Sequence, residues 1–222
     1  MTDYAFEPAP PISLPIAGQS ERFPVRRIYC VGKNYADHVA EMGGDAEAAK
    51  AGRTEPVFFT KAAETLVETD ANIAYPPNTG DLHHEVELVV AMGPEGIFAY
   101  GVGIDMTRRD IQANAKRKGG PWDRAKNFQQ SAPCSPLTLA SQVDLTKAHI
   151  VLRKNGDIVQ HGSLSQMIWG IDEIIEHLKS DMDLQPGDLI YTGTPAGVGP
   201  VRIGDELSGG IEGLERITVR FV

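Results

Sequence analysis

Cysteine is scarce: the 222 residues hold only Cys30 and Cys134. Two thiols so far apart match neither a zinc-ligand spacing nor a Cys-x-x-Cys redox pair. They suit a reducing compartment, and a cytoplasmic location is expected. Basic residues are outnumbered, 21 Lys plus Arg against 30 Asp plus Glu, for a formal net charge of −9. The one dense basic run, Lys116-Arg117-Lys118, is too short for the stripe by which proteins hold nucleic acid electrostatically. Long apolar runs are also lacking: Gly, Pro or charge interrupts each one before the roughly 18 to 20 residues that span a bilayer. Asp3 and Glu7 stand where a secretory signal carries Lys or Arg, and Pro8, Pro10, Pro11 and Pro15 break up any apolar segment there. Neither nucleic acid nor a membrane is expected as a partner. No Gly-x-Gly-x-x-Gly, Gly-x-Ser-x-Gly or phosphate-loop ending occurs, which removes the usual signatures of dinucleotide binding, nucleophile-elbow hydrolysis and nucleotide binding.

What is present suffices for a core. A hydrophobic content of 41% argues against disorder, and a chain of this length buries roughly 70% of its unfolded surface in one domain. Residues 1–24, rich in Pro and small side chains, read as an extended arm or edge strand; residues 25–222 read as a single domain. Arg26 to Gly32 reads as a strand ending in a Gly turn. Asn34 then offers an N-cap to a short helix, Tyr35 to Met42, stopped at Gly43. Gly44 to Thr54, small and polar, predicts a mobile surface loop that could serve as a lid. Strands are expected over Pro56–Thr60, Leu66–Thr69, Glu85–Met92 and Gly101–Ile104. Thr107 with Asp110 predicts a capping box for a helix running to Lys118, where the basic triplet complements the helix dipole. Ile171, Ile174, Ile175 and Leu178 mark the buried face of a second helix. The remainder returns to strands with Gly-Asp turns. Many short strands with few helices predict an α+β, mainly β fold, a mixed roll dominated by antiparallel pairing.

Glu85 and Glu87, in His83-His84-Glu85-Val86-Glu87-Leu88, share one face of a strand, with His84, Val86 and Leu88 on the other. Paired carboxylates repel and need water, a base, a proton or a divalent cation. For the segment alone, a solvated strand face is the preferred reading. Asp105, at a strand-to-helix junction, is the candidate third carboxylate, with helix entry as its ordinary role. Three such groups would form a hard oxygen site suited to Mg²⁺, Mn²⁺ or Ca²⁺ rather than Zn²⁺. His38 and Glu41, at i and i+3, face one way on the first short helix, as a carboxylate-oriented general base would; an idle surface pair is the commoner outcome. Arg109 and Gln112 are spaced alike on the later helix. Lys126 could supply a cation for an anionic substrate, although a loop lysine is usually a solvated charge. Tyr191 to Gly199, a Gly-rich turn containing Thr194, offers backbone N–H groups and hydroxyls to an anion.

Six stretches together resemble the fumarylacetoacetate hydrolase family, in family order. They are Val31 to Met42, Leu82 to Leu88, Asp105 to Gln112, Pro121-Trp122 with Ala125 to Phe128, Ser165 to Trp169, and Gly187 to Pro200. Similarity is strongest to its short-chain acylpyruvate and fumarylpyruvate hydrolase branch. The resemblance implies a mixed β-roll, a homodimer and a divalent metal, Mg²⁺ or Mn²⁺, held by Glu85, Glu87 and Asp105. It implies a His38–Glu41 dyad on a segment that orders over ligand, and catalytic Lys126 beside substrate-binding Arg109, Gln112 and Thr194. Arg108 and Asn127 stand where relatives often carry smaller residues. The expected substrate is a small anionic oxo-acid. The expected reaction is hydrolysis of the C–C bond of an acylpyruvate to pyruvate and a carboxylic acid. Decarboxylation of a β-keto acid such as oxaloacetate is the alternative, and isomerisation or hydration of a related oxo-acid comes third.

Overall fold

Apolar residues with opposite partners on alternate positions organise the centre of the molecule. In the computed structural model, which describes residues 3–52 and 55–222, Tyr29 and Val31 of the Arg27–Gly32 strand enter one core cluster, while Ile28 and Cys30 enter another. Leu88 and Val90 of the Val86–Gly93 strand divide from Val89 and Ala91 in the same way. Both faces of this sheet are covered, so its strands read as unbroken apolar runs rather than as alternation.

The central sheet runs in the order Val57–Lys61, Arg27–Gly32, Asp188–Tyr191, Val86–Gly93, Gly96–Ile104, Ala132–Cys134, Leu66–Glu68, with Thr138–Leu139 also on Gly96–Ile104. A second sheet, Asp157–Ser163, His149–Lys154, Glu206–Ile211, Ile217–Phe221 and Ala71–Ile73, packs Ile150, Leu152, Leu207 and Val219 into the first cluster. A small sheet joins Thr107–Arg108, Leu82–His84 and Gly199–Val201. The result is a mixed, mainly β roll. Antiparallel pairs dominate, but Asp188–Tyr191 runs parallel to Arg27–Gly32, as do two further pairs. No turn motif could announce these, because their partners are distant in sequence.

Five α-helices lie among the described residues: α1 Ala36–Glu41, α2 Ala46–Gly52, α3 Arg109–Lys118, α4 Asp123–Lys126 and α5 Ile171–Asp181. Helix α5 buries Ile174, Ile175 and Leu178 against the second sheet's side of the core, as the periodicity predicts. The Gly44–Thr54 loop is corrected: α2 occupies Ala46–Gly52, because Ala46, Glu47, Ala48, Ala49 and Lys50 are strong helix formers. Arg53 and Thr54 lie outside the described residues. Near the N-terminus, Ser13–Pro15 and Arg22–Pro24 pair as a hairpin, and Leu14 and Phe23 enter the second cluster.

Two caps also differ from expectation. Tyr35, not Asn34, is the N-cap of α1; Asn34 is buried and acts as a tie. Its Nδ2 donates to Trp169 O (3.0 Å) and Thr192 O (2.8 Å), and its Oδ1 accepts from Trp169 N (2.8 Å). At α3 the cap is Arg108, with no side-chain capping bond. Thr107 lies in a strand, and the Asp110 carboxylate accepts from Thr79 Oγ1 and Gly80 N instead. Local spacing could not anticipate partners that come from remote segments.

Gly101 and Gly103 on the Gly96–Ile104 strand make room on the second cluster's side. A Cβ at Gly103 would lie 2.4 Å from Tyr191 Cε1 and 2.6 Å from Val89 Cγ2. Gly103→Ala should therefore destabilise the protein by about 1–3 kcal/mol through overpacking, measured as a shift in denaturant midpoint. Gly80→Ala, where a Cβ meets nothing within 4 Å, is the control; equal midpoints for the two variants would contradict this packing.

Candidate metal centre

Strand parity assembles the acidic cluster. Val86 pairs with Ile104 and Glu87 with Gly103, so the chain just outside the ladder sets Glu85 opposite Asp105, where Asp105 N–H donates to Glu85 O at 2.8 Å. Glu85, Glu87 and Asp105 are all buried, and each offers an oxygen within 4.8 Å of the others. The solvated-face reading of Glu85 and Glu87 is thereby overturned.

Cations surround two of the three acids. Lys126 Nζ donates to Glu85 Oε2 (2.7 Å), Asp105 Oδ2 (2.5 Å) and Thr107 Oγ1 (2.6 Å). Lys126 is not a loop residue: it ends α4 and is 3% exposed. Arg109, opening α3, donates to Glu85 Oε1 and, at 2.7 Å, to Gln112 Oε1. Lys61, at the end of the Val57–Lys61 strand, lies 2.9 Å from Asp105 Oδ1 and donates to Met106 O (3.2 Å) and Lys126 O. Burial raises the Glu85 carboxyl, but Lys126 and Arg109 outweigh it and hold the group well below the ordinary range. Burial also opposes the Lys126 ammonium, yet Asp105 and Glu85 keep it charged across the physiological range.

Glu87 differs. Its Oε2 accepts from Gly193 N at 2.8 Å, and no cation among the described residues bonds it. Burial, then repulsion from Asp105 and Glu85, push its carboxyl well above the ordinary value. Asp105 Oδ1, buried, receives no hydrogen bond of good geometry from a described residue; its close neighbour is the Lys61 ammonium at 2.9 Å. Hard oxygen donors and a carboxylate short of positive charge together fit a divalent cation of the Mg²⁺ or Mn²⁺ type.

Beside the acids lies a cavity of about 350 Å³, the small end of the range for ligand sites. His38, Arg109, Gln112, Lys126 and Thr194 all line it with Glu85 and Asp105. His38 Nδ1 is 3.1 Å from Glu41 Oε2, and Glu41 Oε1 accepts from Gly197 N at 3.0 Å. The dyad is thus pinned to the Gly-rich turn after Asp188–Tyr191. With Nδ1 engaged by Glu41, the ring's other nitrogen is the one left for a proton from the cavity. Gln160 Oε1 accepts from Val86 N (3.0 Å), and its Nε2 donates to Pro195 O (2.9 Å) and Thr194 Oγ1 (2.8 Å). The Thr194 hydroxyl proton is thereby free to donate elsewhere.

All nine residues singled out in the sequence converge here. Lys61 and Gln160 escaped notice, since each lies in an ordinary strand with no motif around it and its partners are remote; Thr107, read from the sequence only as a cap, instead accepts from Lys126. Residues 27–222 match the family described as "Fumarylacetoacetate (FAA) hydrolase C-terminal". The chain belongs to this family. A fumarylpyruvate hydrolase of a Ralstonia species is 43% identical over 73% of this chain and 90% of its own length. The mitochondrial oxaloacetate tautomerase of Homo sapiens is 40% identical over 88% of this chain and 91% of its own. The crystal structure of fumarylpyruvate hydrolase from Pseudomonas aeruginosa, in complex with Mn²⁺ and pyruvate, matches with a TM-score of 0.93 at 43% identity, covering 99% of each chain.

In this member of the fumarylacetoacetate hydrolase family, Glu87→Gln should preserve the fold, since it strips no cation of its partner, and should weaken Mn²⁺ binding by about 100-fold or more in calorimetry, beyond the 10–100-fold typical of outer partners. Wild-type Mn²⁺ affinity in that variant would remove Glu87 from the ligand set. Asp105→Asn leaves the buried Lys61 without its carboxylate partner and Lys126 with Glu85 alone, and should cost about 3–5 kcal/mol of stability, read as a shift in denaturant midpoint.

Proposed function

We propose that the protein hydrolyses acylpyruvates, with a fumarylpyruvate-like β-diketo acid as substrate and pyruvate and a carboxylic acid as products. The observation that carries this reading is the joint lining of one small cavity by His38 of the dyad, by Glu85 and Asp105 of the acidic cluster and by Lys126. The family and the fumarylpyruvate hydrolases it resembles indicate a hydrolase acting on a ketonic substrate.

Glu85, Glu87 and Asp105 would hold a divalent ion, Mg²⁺ or Mn²⁺, which when bound polarises the carbonyl groups of an oxo-acid as a Lewis acid. His38, oriented by Glu41, takes a proton from water as the water adds to the acyl carbonyl. Breaking the C–C bond then releases the carboxylic acid and the enolate of pyruvate, which takes up at carbon the proton that His38 removed from water. Lys126, charged and fixed by three hydrogen bonds, stabilises negative charge rather than acting as a base. Arg109, Gln112 and Thr194 orient the substrate's oxygens. Residues 25–222 form the catalytic domain and residues 1–24 the arm; a cytoplasmic homodimer completes the reading.

The human relative's name favours a second reading, keto–enol interconversion of oxaloacetate, which moves a proton at carbon and needs no attacking water. Acylpyruvates and oxaloacetate, followed by absorbance with Mn²⁺ and with a chelator, separate the two. Acylpyruvate loss that requires the metal, and that falls about 100-fold or more in His38→Ala, is expected. Consumption or interconversion of oxaloacetate alone would sink the hydrolase reading, and undiminished turnover in His38→Ala would remove the dyad from the mechanism.

A further inference from the structure

Two cations at the mouth of the cavity lack an acidic partner among the described residues. Lys33 and Lys116 both line it. The ammonium of neither makes a hydrogen bond or ion pair with any described residue, although the chain as a whole carries a net charge of −9. Lys116 Nζ sits 5.1 Å over the Trp122 ring, a contact that steadies a cation without neutralising it. Burial, then repulsion from Arg109 and Lys33, lower its pKa from the ordinary lysine value, so the three positive groups crowd one another. Lys33 holds a left-handed backbone at φ 61°, a conformation that Gly or Asn would hold more easily. Helix α3 thus turns part of its C-terminal basic triplet, whose ordinary role is to complement the helix dipole, toward the cavity.

The other cations of the site are committed. Arg109 is shared between Glu85 and Gln112, Lys126 is saturated by Glu85, Asp105 and Thr107, and Lys61 lies against Asp105. The acids Glu85 and Asp105 are at the buried end, and the two free lysines are at the exposed end. Between Lys126 and Lys116 the wall is apolar: Lys126 Nζ lies 5.1 Å over the Phe59 ring, Phe59 and Trp122 have centroids 6.1 Å apart, and Lys116 Nζ lies 5.1 Å over Trp122. A molecule that fits this sequence of surfaces has an oxo-acid head, a short uncharged middle and a negatively charged tail.

We infer that Lys33 and Lys116 determine specificity for substrates whose acyl group ends in a second carboxylate, by pairing with that carboxylate at the mouth of the cavity. This rests on the proposed oxo-acid site but not on the reaction carried out there. Uncommitted cations facing a partly apolar wall raise the local concentration of an anion and strengthen its pairing above that of a fully solvated pair.

The test compares two uncleavable ligands on the Mn²⁺-loaded full chain by calorimetry: 2-oxoheptanedioate and 2-oxoheptanoate. They share length and oxo-acid head and differ only in the terminal carboxylate. Wild type should bind the dicarboxylate about 10-fold more tightly at low ionic strength, and the advantage should shrink as salt rises. Lys33→Asn, which keeps a residue tolerant of the left-handed backbone, combined with Lys116→Met, should bring the ratio to within about twofold. Equal affinities in wild type, an advantage indifferent to salt, or one that survives both substitutions overturns the inference. The salt series on wild type decides the matter if the double variant fails to fold. Because no bond is cleaved, failure of acylpyruvate hydrolysis would leave this ratio readable, and loss of the ratio would leave the reaction standing.

Discussion

Three carboxylates brought together out of water are the constraint around which this molecule is arranged. At about 4 Å and an effective dielectric near 20, two like charges repel by about 4 kcal/mol, so Glu85, Glu87 and Asp105 can coexist only with compensating charge. Lys126, Lys61 and Arg109 supply it to Glu85 and Asp105, from three different elements of the fold. Among the described residues, Glu87 is left with a backbone N–H alone. That asymmetry separates a cation-binding site from a self-sufficient buried salt-bridge network: the chain neutralises most of the cluster and leaves one acid wanting.

The surrounding architecture serves this placement. The strand pair that carries the acids is central and covered on both faces, so its register cannot slip by one residue without exchanging the two core clusters. Gly103 leaves Tyr191 close against the strand that leads to Asp105, and the Tyr191 hydroxyl donates to Ala132 O and Pro133 O on the neighbouring segment. Asn34 ties the approach to α1 to both Thr192 and Trp169, and Glu41 ties α1 itself to Gly197. The general-base candidate therefore sits on a short helix that could not hold its position by propensity alone; tertiary bonds at both ends orient it.

The charge of the chain has opposite meanings at different scales. Over the whole surface the acidic excess favours solubility and works against polyanions. Inside one cavity, deep acids largely matched by cations, together with rim lysines that no described acid pairs, suit the small anion proposed as substrate.

Much of this was legible along the chain. An apolar run bounded by the Gly93-Pro94 turn marked the Val86–Gly93 strand, the spacing of Ile171, Ile174, Ile175 and Leu178 marked α5, and ordered motifs pointed to the family and to the nine candidate residues that the fold brings together. Their legibility has a physical basis: strand and helix periods assign neighbours to faces without knowledge of the rest of the fold. Local signals failed where the decisive partner was remote. Asn34, Thr107 and Asp110 looked like caps and became long-range ties, and Gly44–Thr54 looked like a loop although α2 fills most of it. By itself, the sequence determined which residue types could make a hard-oxygen site, a dyad and a small-acid pocket. Only the tertiary structure decided that Glu85 and Glu87 are buried rather than solvated, that Lys61 and Gln160 belong to the site, and that Lys33 and Lys116 face it unpaired. Burial and charge compensation depend on segments far apart in sequence meeting at one place.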